Sequence, residues 1–293
     1  LHCQVAATGE TTVMKNTLPA GNTSSLSAVE GALSLSSREH EEIRHTMTHQ
    51  TSQSCPPRAN RLLSALPETD YQRLLPHLQP VLLHDGQVLF NRNTPGHGVY
   101  FPTSGVVCAV LSSGDEMEVE VVPIGHEGMV GRAACVLGDT PTFRRAVVEV
   151  GGSAWWLPID VLRAEVERRA ALCDLLHDYL EVLLIEAGLM ALCKSRHALP
   201  ARLSHWLLLL REQVQADELP FSQELIADLM AARPAEVTLA AGLLWKKALI
   251  RFNHNHLTVL DHTGLQAQAC PCAALIHEER DRLFSRTKID RAA

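Results

Sequence analysis

Residues 221–250, FSQELIADLMAARPAEVTLAAGLLWKKALI, constrain the fold of this chain more than any other segment, because they read as two short amphipathic helices joined by a tight turn. Ser222 is a good N-cap, and Glu224 sits in the first turn beside the positive end of the helix. Leu225, Ile226 and Leu229 follow on one face at helical spacing. Ala231 and Ala232 make a junction with little bulk. Pro234 is pre-set for the first turn of a second helix, whose inward face is Val237, Ala241 and Leu244. Small side chains at Ala227 and Ala240 allow the helices to cross closely. This is the build of a helix-turn-helix, whose second helix is presented to the DNA major groove. Two generic helices in a subdomain without a DNA role share much of this spacing, so the flanking sequence decides. Residues 251–252 and 256–260 read as strands around Asn253, His254 and Asn255, a hairpin signal. Helix, turn, helix and hairpin together make a winged helix.

At 293 residues the chain is long enough for two domains with separate cores. Its 46% hydrophobic and 20% charged residues are ordinary for a globular protein. No apolar run reaches the length of a membrane helix, since Glu181 and Glu186 interrupt the longest candidate. The opening LHCQVAATGE lacks the basic start and apolar centre of a signal peptide, and eight scattered cysteines show no disulfide framework. A cytoplasmic protein with reduced thiols is expected. A net charge of −7 argues against indiscriminate coating of nucleic acid but leaves sequence-specific binding open, because only the local face matters for phosphate contacts.

Residues 1–58 are rich in Thr, Ser, His and Glu, with no sustained period, and are expected to form a disordered leader. A short helical pattern over 62–78 precedes a change of period. Segments 81–83, 87–91, 98–102, 105–111, 116–123 and 145–150 are short and β-branched or alternating, with turn signals such as Asp85-Gly86 and Ser104-Gly105 between them. That spacing indicates a jelly roll, placed at 59–157. Helical periodicity returns at 160–168 and 171–195. In the longer helix Leu172, Leu176, Tyr179, Leu183, Ala187 and Met190 alternate by three and four, a seam suited to pairing with a second copy of the chain. A second apolar stripe, Leu175, Val182, Leu184 and Leu189, leaves a wholly intramolecular helix as the competing reading. Residues 158–197 are thus a helical linker and dimerisation helix, with a hinge at 197–199 before Pro200. The winged helix spans 198–264, opening with a helix at 202–214, and 265–293 form a tail. The fold class is α+β: an N-terminal double-stranded β-helix (jelly roll), a long dimerisation helix and a C-terminal winged helix-turn-helix.

This order resembles the Crp/Fnr family of bacterial transcription regulators over residues 60–265. SQELIADLMAARPAEVTLAAGLLWKKALI follows that family's helix-turn-helix without a gap, and ARLSHWLLLL and LTVLDHTGLQAQACPC flank it as in a branch without a defined effector. The resemblance implies a homodimeric, sequence-specific, non-enzymatic regulator of transcription. Its implied partners are an imperfect palindrome of double-stranded DNA, RNA polymerase and a small anionic effector. No membrane, metal or other cofactor is implied. The implied DNA-binding residues are Ser222, Gln223, Arg233, Glu236, Thr238, Lys246, Lys247 and Arg251. Arg233, Glu236 and Thr238 are the candidate base readers, while the two lysines and Arg251 face phosphates. The family's usual Arg-Glu pair and following Arg fall here on Pro234, Ala235 and Leu239, so a different operator is expected. Ala231 replaces the usual turn glycine, at a cost of about 1 kcal/mol if the turn needs positive φ.

Cyclic-nucleotide-binding members use a Gly-Glu pair and a later Arg-Ser pair. In GHEGMVGRAACVLGDTPTFRRAVV the candidates are Gly131, Arg132, Arg144 and Arg145, with Arg132 where the ribose-binding Glu belongs. Losing that carboxylate removes roughly 1–3 kcal/mol and argues against cyclic AMP. Oxygen-sensing relatives hold an iron–sulfur cluster on closely spaced cysteines before the roll, where this chain has only Cys3 and Cys55. Isolated His84, His97 and His126 read as ordinary surface or core residues. Cys270-Pro271-Cys272 supplies only two adjacent ligands and reads as a tail with two reduced thiols. Two rival readings remain: a thiol-based redox regulator acting through Cys270 and Cys272, and a ligand-binding or enzymatic roll whose helical tail serves assembly.

Overall fold

A computed structural model describes residues 55–92, 97–112, 118–131, 145–169, 171–253 and 256–289. The leader expectation for 1–58 therefore lies almost wholly outside the described residues. Two short helices, α1 (Arg61–Ala65) and α2 (Glu68–Leu74), open the structure. Asn60 organises this start although it is fully buried. Its side-chain oxygen caps α1 by accepting from the backbone N–H groups of Leu62 and Leu63, at 3.1 and 3.2 Å. Its amide nitrogen donates to the carbonyls of Pro102 and Gly128, both at 2.8 Å, so no polar atom is stranded.

Seven strands follow: β1 (Gln79–Leu83), β2 (Val88–Phe90), β3 (Gly98–Pro102), β4 (Val106–Ser112), β5 (Glu118–Ile124), β6 (Arg145–Val150) and β7 (Gly152–Pro158). They form two antiparallel sheets, ordered β1-β7-β3 and β2-β6-β4-β5. Gly105 takes φ +81° at the turn between β3 and β4, where an added Cβ would lie 2.5 Å from the Val150 carbonyl. Along β6, Ala146, Val148 and Val150 are buried and alternate with half-buried neighbours. β4 is apolar on both faces for a reason. Val107 points into the roll with Ala146, Val148 and Ile124, whereas Val106, Cys108 and Val110 join the core of the C-terminal domain. Roll and C-terminal domain thus share a packed surface.

Helix α3 (Ile159–Glu167) leads into the 26-residue α4 (Ala171–Arg196). The chain then turns at His197 and Ala198 into α5 (Leu199–Val214), as the position of Pro200 requires. A three-stranded sheet, β8-β10-β9, is built from β8 (Glu218–Leu219), β9 (Ile250–Asn253) and β10 (His256–Val259). The expected hairpin pairs Asn253 with His256, and β8, which sequence reading did not supply, joins its other edge. Between β8 and β9 lie α6 (Gln223–Met230) and α7 (Pro234–Lys246).

The segment after the wing is not a loose tail. It forms α8 (His262–Gln268) and the 18-residue α9 (Cys272–Ile289), which packs along α4. Leu283 and Phe284 of α9 join Leu172, Leu175, Leu176, Tyr179 and Val182 in one core cluster. This corrects part of the expected dimer seam. Leu172, Leu176 and Tyr179 lie inside the protomer's own core, Tyr179 receiving the Met129 N–H at 3.1 Å, while Leu183, Ala187 and Met190 are half-buried. A helix with two apolar stripes can bury either one inward, and α9 and the roll take this one. The side of α4 left in solvent carries Leu184, Gly188 and Leu192, with the two leucines 74% and 47% exposed.

Candidate nucleic-acid interface

The α6–α7 pair is held as its residue pattern dictates. The Ser222 hydroxyl caps α6, accepting from the Leu225 N–H at 3.2 Å. At its other end Ala231 adopts φ 49° and ψ 54°, the left-handed conformation that a glycine would take without strain. The Ala232 N–H then returns to the Ala227 carbonyl at 2.9 Å, and an Arg202 guanidinium N–H from α5 reaches the Met230 carbonyl at 2.6 Å. Val237, Ala240, Ala241 and Leu244 face inward onto Ile226 and Ala227, and all six are buried. Trp206 and Phe221 pack edge to face beneath them, with ring centroids 5.2 Å apart.

Burying that stripe turns the other face of α7 outward. Arg233 stands at the N-cap with its side chain 86% exposed. Glu236 is committed locally: its carboxylate accepts from the Arg233 N–H at 3.2 Å and lies 3.7 Å from the Arg233 guanidinium. The Thr238 hydroxyl lies 2.7 Å from Gln223 Oε1 and 3.0 Å from the Pro234 carbonyl and shares its one proton between them, which ties the two helices together. Ser222, Gln223, Glu236 and Thr238 thus serve the motif's own geometry. Arg233 is the long outward donor at the start of α7. Lys246 is exposed in its last turn, and Lys247, exposed just beyond, hydrogen-bonds Gln268. Arg251 is exposed on the wing strand β9, opposite Thr258. Leu239, which sequence reading placed where the family has an Arg, is 72% exposed on this outer face, and Trp245, which it did not single out, is 62% exposed.

Of the four effector-pocket candidates, Arg132 and Arg144 lie outside the described residues. Gly131 is half-buried after β5, and Arg145 begins β6, opposite Val110. A different polar cluster is assembled instead. The Arg280 guanidinium of α9 pairs with Glu186 of α4, one contact being 3.1 Å, and also with Glu127 in the loop after β5. Gln213 donates to Glu127, and Arg61 lies 3.7 Å from it. Burial pushes the Glu186 carboxyl up to about 8 and, with the Arg61 charge nearby, lowers Arg280 to about 10. Glu127, Glu186 and Arg280 line a small cleft together with Tyr179 and Phe284.

Cys270 and Cys272 also acquire partners that spacing could not reveal. Cys193 and His197 at the end of α4 converge on them. Hydrogen bonds from Cys193 and His205 pull the Cys270 thiol down, whereas the same contact and burial push Cys193 up.

A β-roll joined through a long helix to a winged helix with a solvent-facing second helix defines a DNA-binding regulatory protein. Residues 201–268 match the model for the Crp-like helix-turn-helix domain, and residues 80–169 match that for the cyclic nucleotide-binding domain. The chain belongs to the Crp/Fnr family of transcriptional regulators. Solved structures of similar fold include a Crp/Fnr-family transcriptional regulator from Eubacterium rectale, at 16% identity and TM-score 0.58, covering 72% of this chain and 98% of that one. The c-di-GMP-responsive global regulator CLP of Xanthomonas campestris matches at 14% identity and TM-score 0.55, over 67% of this chain and 100% of its own. FixK2 of Bradyrhizobium japonicum matches at 15% and 0.55, over 66% and 98%. No curated protein matches the sequence. Among the described residues no helix is long and apolar enough to cross a membrane.

Proposed function

We propose that the chain acts as a homodimer on an imperfect palindromic operator whose half-sites lie about one helical turn apart, with α7 in the major groove. The observation that carries this is the outward face of α7, with Arg233 at one end and Lys246, Lys247 and the wing's Arg251 at the other. Arg233 reads a base edge or fixes a phosphate; the lysines and Arg251 set register. Leu239, exposed where long polar readers are common, suits a thymine methyl.

The dimer contact runs along Leu184, Gly188 and Leu192, spaced one helical turn apart on the solvent side of α4. No atom lies within 4 Å of a Cβ built on Gly188, which leaves room for a second helix to approach closely. An anionic effector at the roll acts through the core that β4 and β6 share with the winged helix. CLP responds to c-di-GMP, an anionic ligand of the class proposed here.

Selection of bound duplexes from a random pool, followed by mobility shift, tests the reading. A palindromic consensus is expected, with binding lost in Arg233→Ala. Sedimentation of Leu184→Asp should show a monomer with weakened binding. Binding that ignores sequence, or a dimer unaffected by Leu184→Asp, refutes the corresponding part.

A further inference from the structure

Two segments far apart in sequence bring soft donor atoms to one place. Cys193 lies in the last turn of α4, and His197 follows the helix directly, its N–H still donating to the Cys193 carbonyl at 3.0 Å. Cys270 and Cys272 flank Pro271 between α8 and α9, and the Cys270 N–H reaches the Ala201 carbonyl of α5 at 3.3 Å. The three sulfurs and one imidazole nitrogen all lie within 4.8 Å of one another. Cys193 and Cys270 are 3.3 Å apart at sulfur, and the Cys272 sulfur is 3.6 Å from His197 Nδ1. With Zn–S near 2.3 Å and Zn–N near 2.0 Å, a tetrahedral site has S···S edges of about 3.8 Å and S···N edges of about 3.5 Å. The observed spacings surround those values.

The burial is as informative as the distances. Cys193, Cys270 and Cys272 are each under 9% exposed and pack chiefly on one another, with Ala201 as their apolar neighbour. Thiols used only as small hydrophobes would be spread through the larger cores, as Cys108 is. His205 is also buried. Its Nδ1 lies 3.3 Å from the Cys270 sulfur and 3.7 Å from that of Cys193, while its Nε2 has no partner. An imidazole N–H aimed at a metal-bound thiolate is the usual outer support of such a site.

We infer that Cys193, His197, Cys270 and Cys272 bind one zinc ion in a closed tetrahedral site that fastens the end of α4 to the start of α9. Four protein donors fill the coordination sphere, which makes the site structural rather than catalytic. Three thiolates and a neutral imidazole are the set that suits zinc, and the three thiols release their protons when the ion enters. The ion sits where α4 turns into α5, so it fixes the hinge on which the winged helix hangs.

The test uses the full-length chain purified under reducing conditions. Elemental analysis should find one zinc per chain. After removal of zinc by chelation, cobalt(II) should give the thiolate-to-cobalt charge-transfer band and the intense visible bands of tetrahedral coordination. Cys270→Ser and Cys193→Ser should abolish that spectrum, and Cys173→Ser, at a buried cysteine elsewhere, should leave it unchanged. His197→Cys should retain the metal with stronger charge transfer, which keeps the proposal testable if the serine variants fail to fold. His205→Phe should weaken cobalt binding by roughly 10- to 100-fold while preserving the spectrum. Absence of zinc together with no cobalt–thiolate band in the folded, reduced chain overturns the inference. So does bound iron with iron–sulfur absorption, or a Cys193–Cys270 disulfide that persists under reduction.

Discussion

Replacing Arg280 by Met leaves Glu127 and Glu186 buried without the guanidinium that lies between them. All three side chains are below 8% exposed, so water cannot take over. Removing one member of such a pair costs about 3–5 kcal/mol, against about 0–1 kcal/mol for an exposed bridge. Glu186 stays protonated below about 8 because of its burial, so at pH 6 the charge left without its cation is that of Glu127, and Glu186 adds its own only as pH rises. The loss should therefore sit near 3 kcal/mol at pH 6 and grow toward pH 9. For a domain of this size, 3 kcal/mol corresponds to a fall in Tm of about 6–12 °C. Thermal and urea melts of the full chain at the two pH values read it directly. Adding Glu127→Gln and Glu186→Leu to Arg280→Met should recover much of the loss, because no desolvated charge then remains and Gln213 keeps an acceptor. A fall in Tm below about 2 °C, equal at both pH values, would refute the reasoning and class Arg280 with the surface cations.

The wild-type chain should itself lose stability as pH rises. The folded state holds the Glu186 proton up to about 8 and the unfolded chain releases it near its ordinary value of 4.5, so the contribution is complete below about 4.5 and fades by 8. Urea midpoints across that range should fall less steeply in Glu186→Gln; an identical slope removes Glu186 as the cause. Ala231→Gly should raise stability by about 0.5–1 kcal/mol, because glycine enters the left-handed region without the Cβ clash; a lower urea midpoint contradicts the turn geometry. On the proposed dimer, Lys246→Ala with Lys247→Ala takes away four phosphate contacts, which should flatten the slope of log K against log salt by about 4 units. Titrations at several salt concentrations in which the slope does not change would detach these lysines from the DNA.

What the sequence disclosed and what it concealed follow from the same physics. Helices α6 and α7 were legible because each is short and opens on a clear start signal, Ser222 and Pro234, with Val237, Ala241 and Leu244 following at helical spacing. The resemblance marked Ala231 as standing where the family's turn glycine belongs, and the turn does take positive φ there. In α4 the argument ran out. With apolar residues on both stripes, periodicity could not say which side meets a partner, and the covering helix α9 hides its own stripe of Ile276, Leu283 and Phe284 among HEERDR charges. The zinc ligands were hidden by distance: Cys193 pairs with Cys270 across 77 residues, and His197 with Cys272 across 75. One clue to α9 was present. Glu186 interrupts the apolar run that would otherwise suit a membrane, and a carboxylate on a helix face between Val182 and Leu189 must find a cation or stay protonated. Arg280, at helical spacing from Ile276 and Phe284, is a cation whose neighbours also call for burial. Matching the lone acid of one apolar face to the lone base of another pairs α4 with α9 before any coordinates exist.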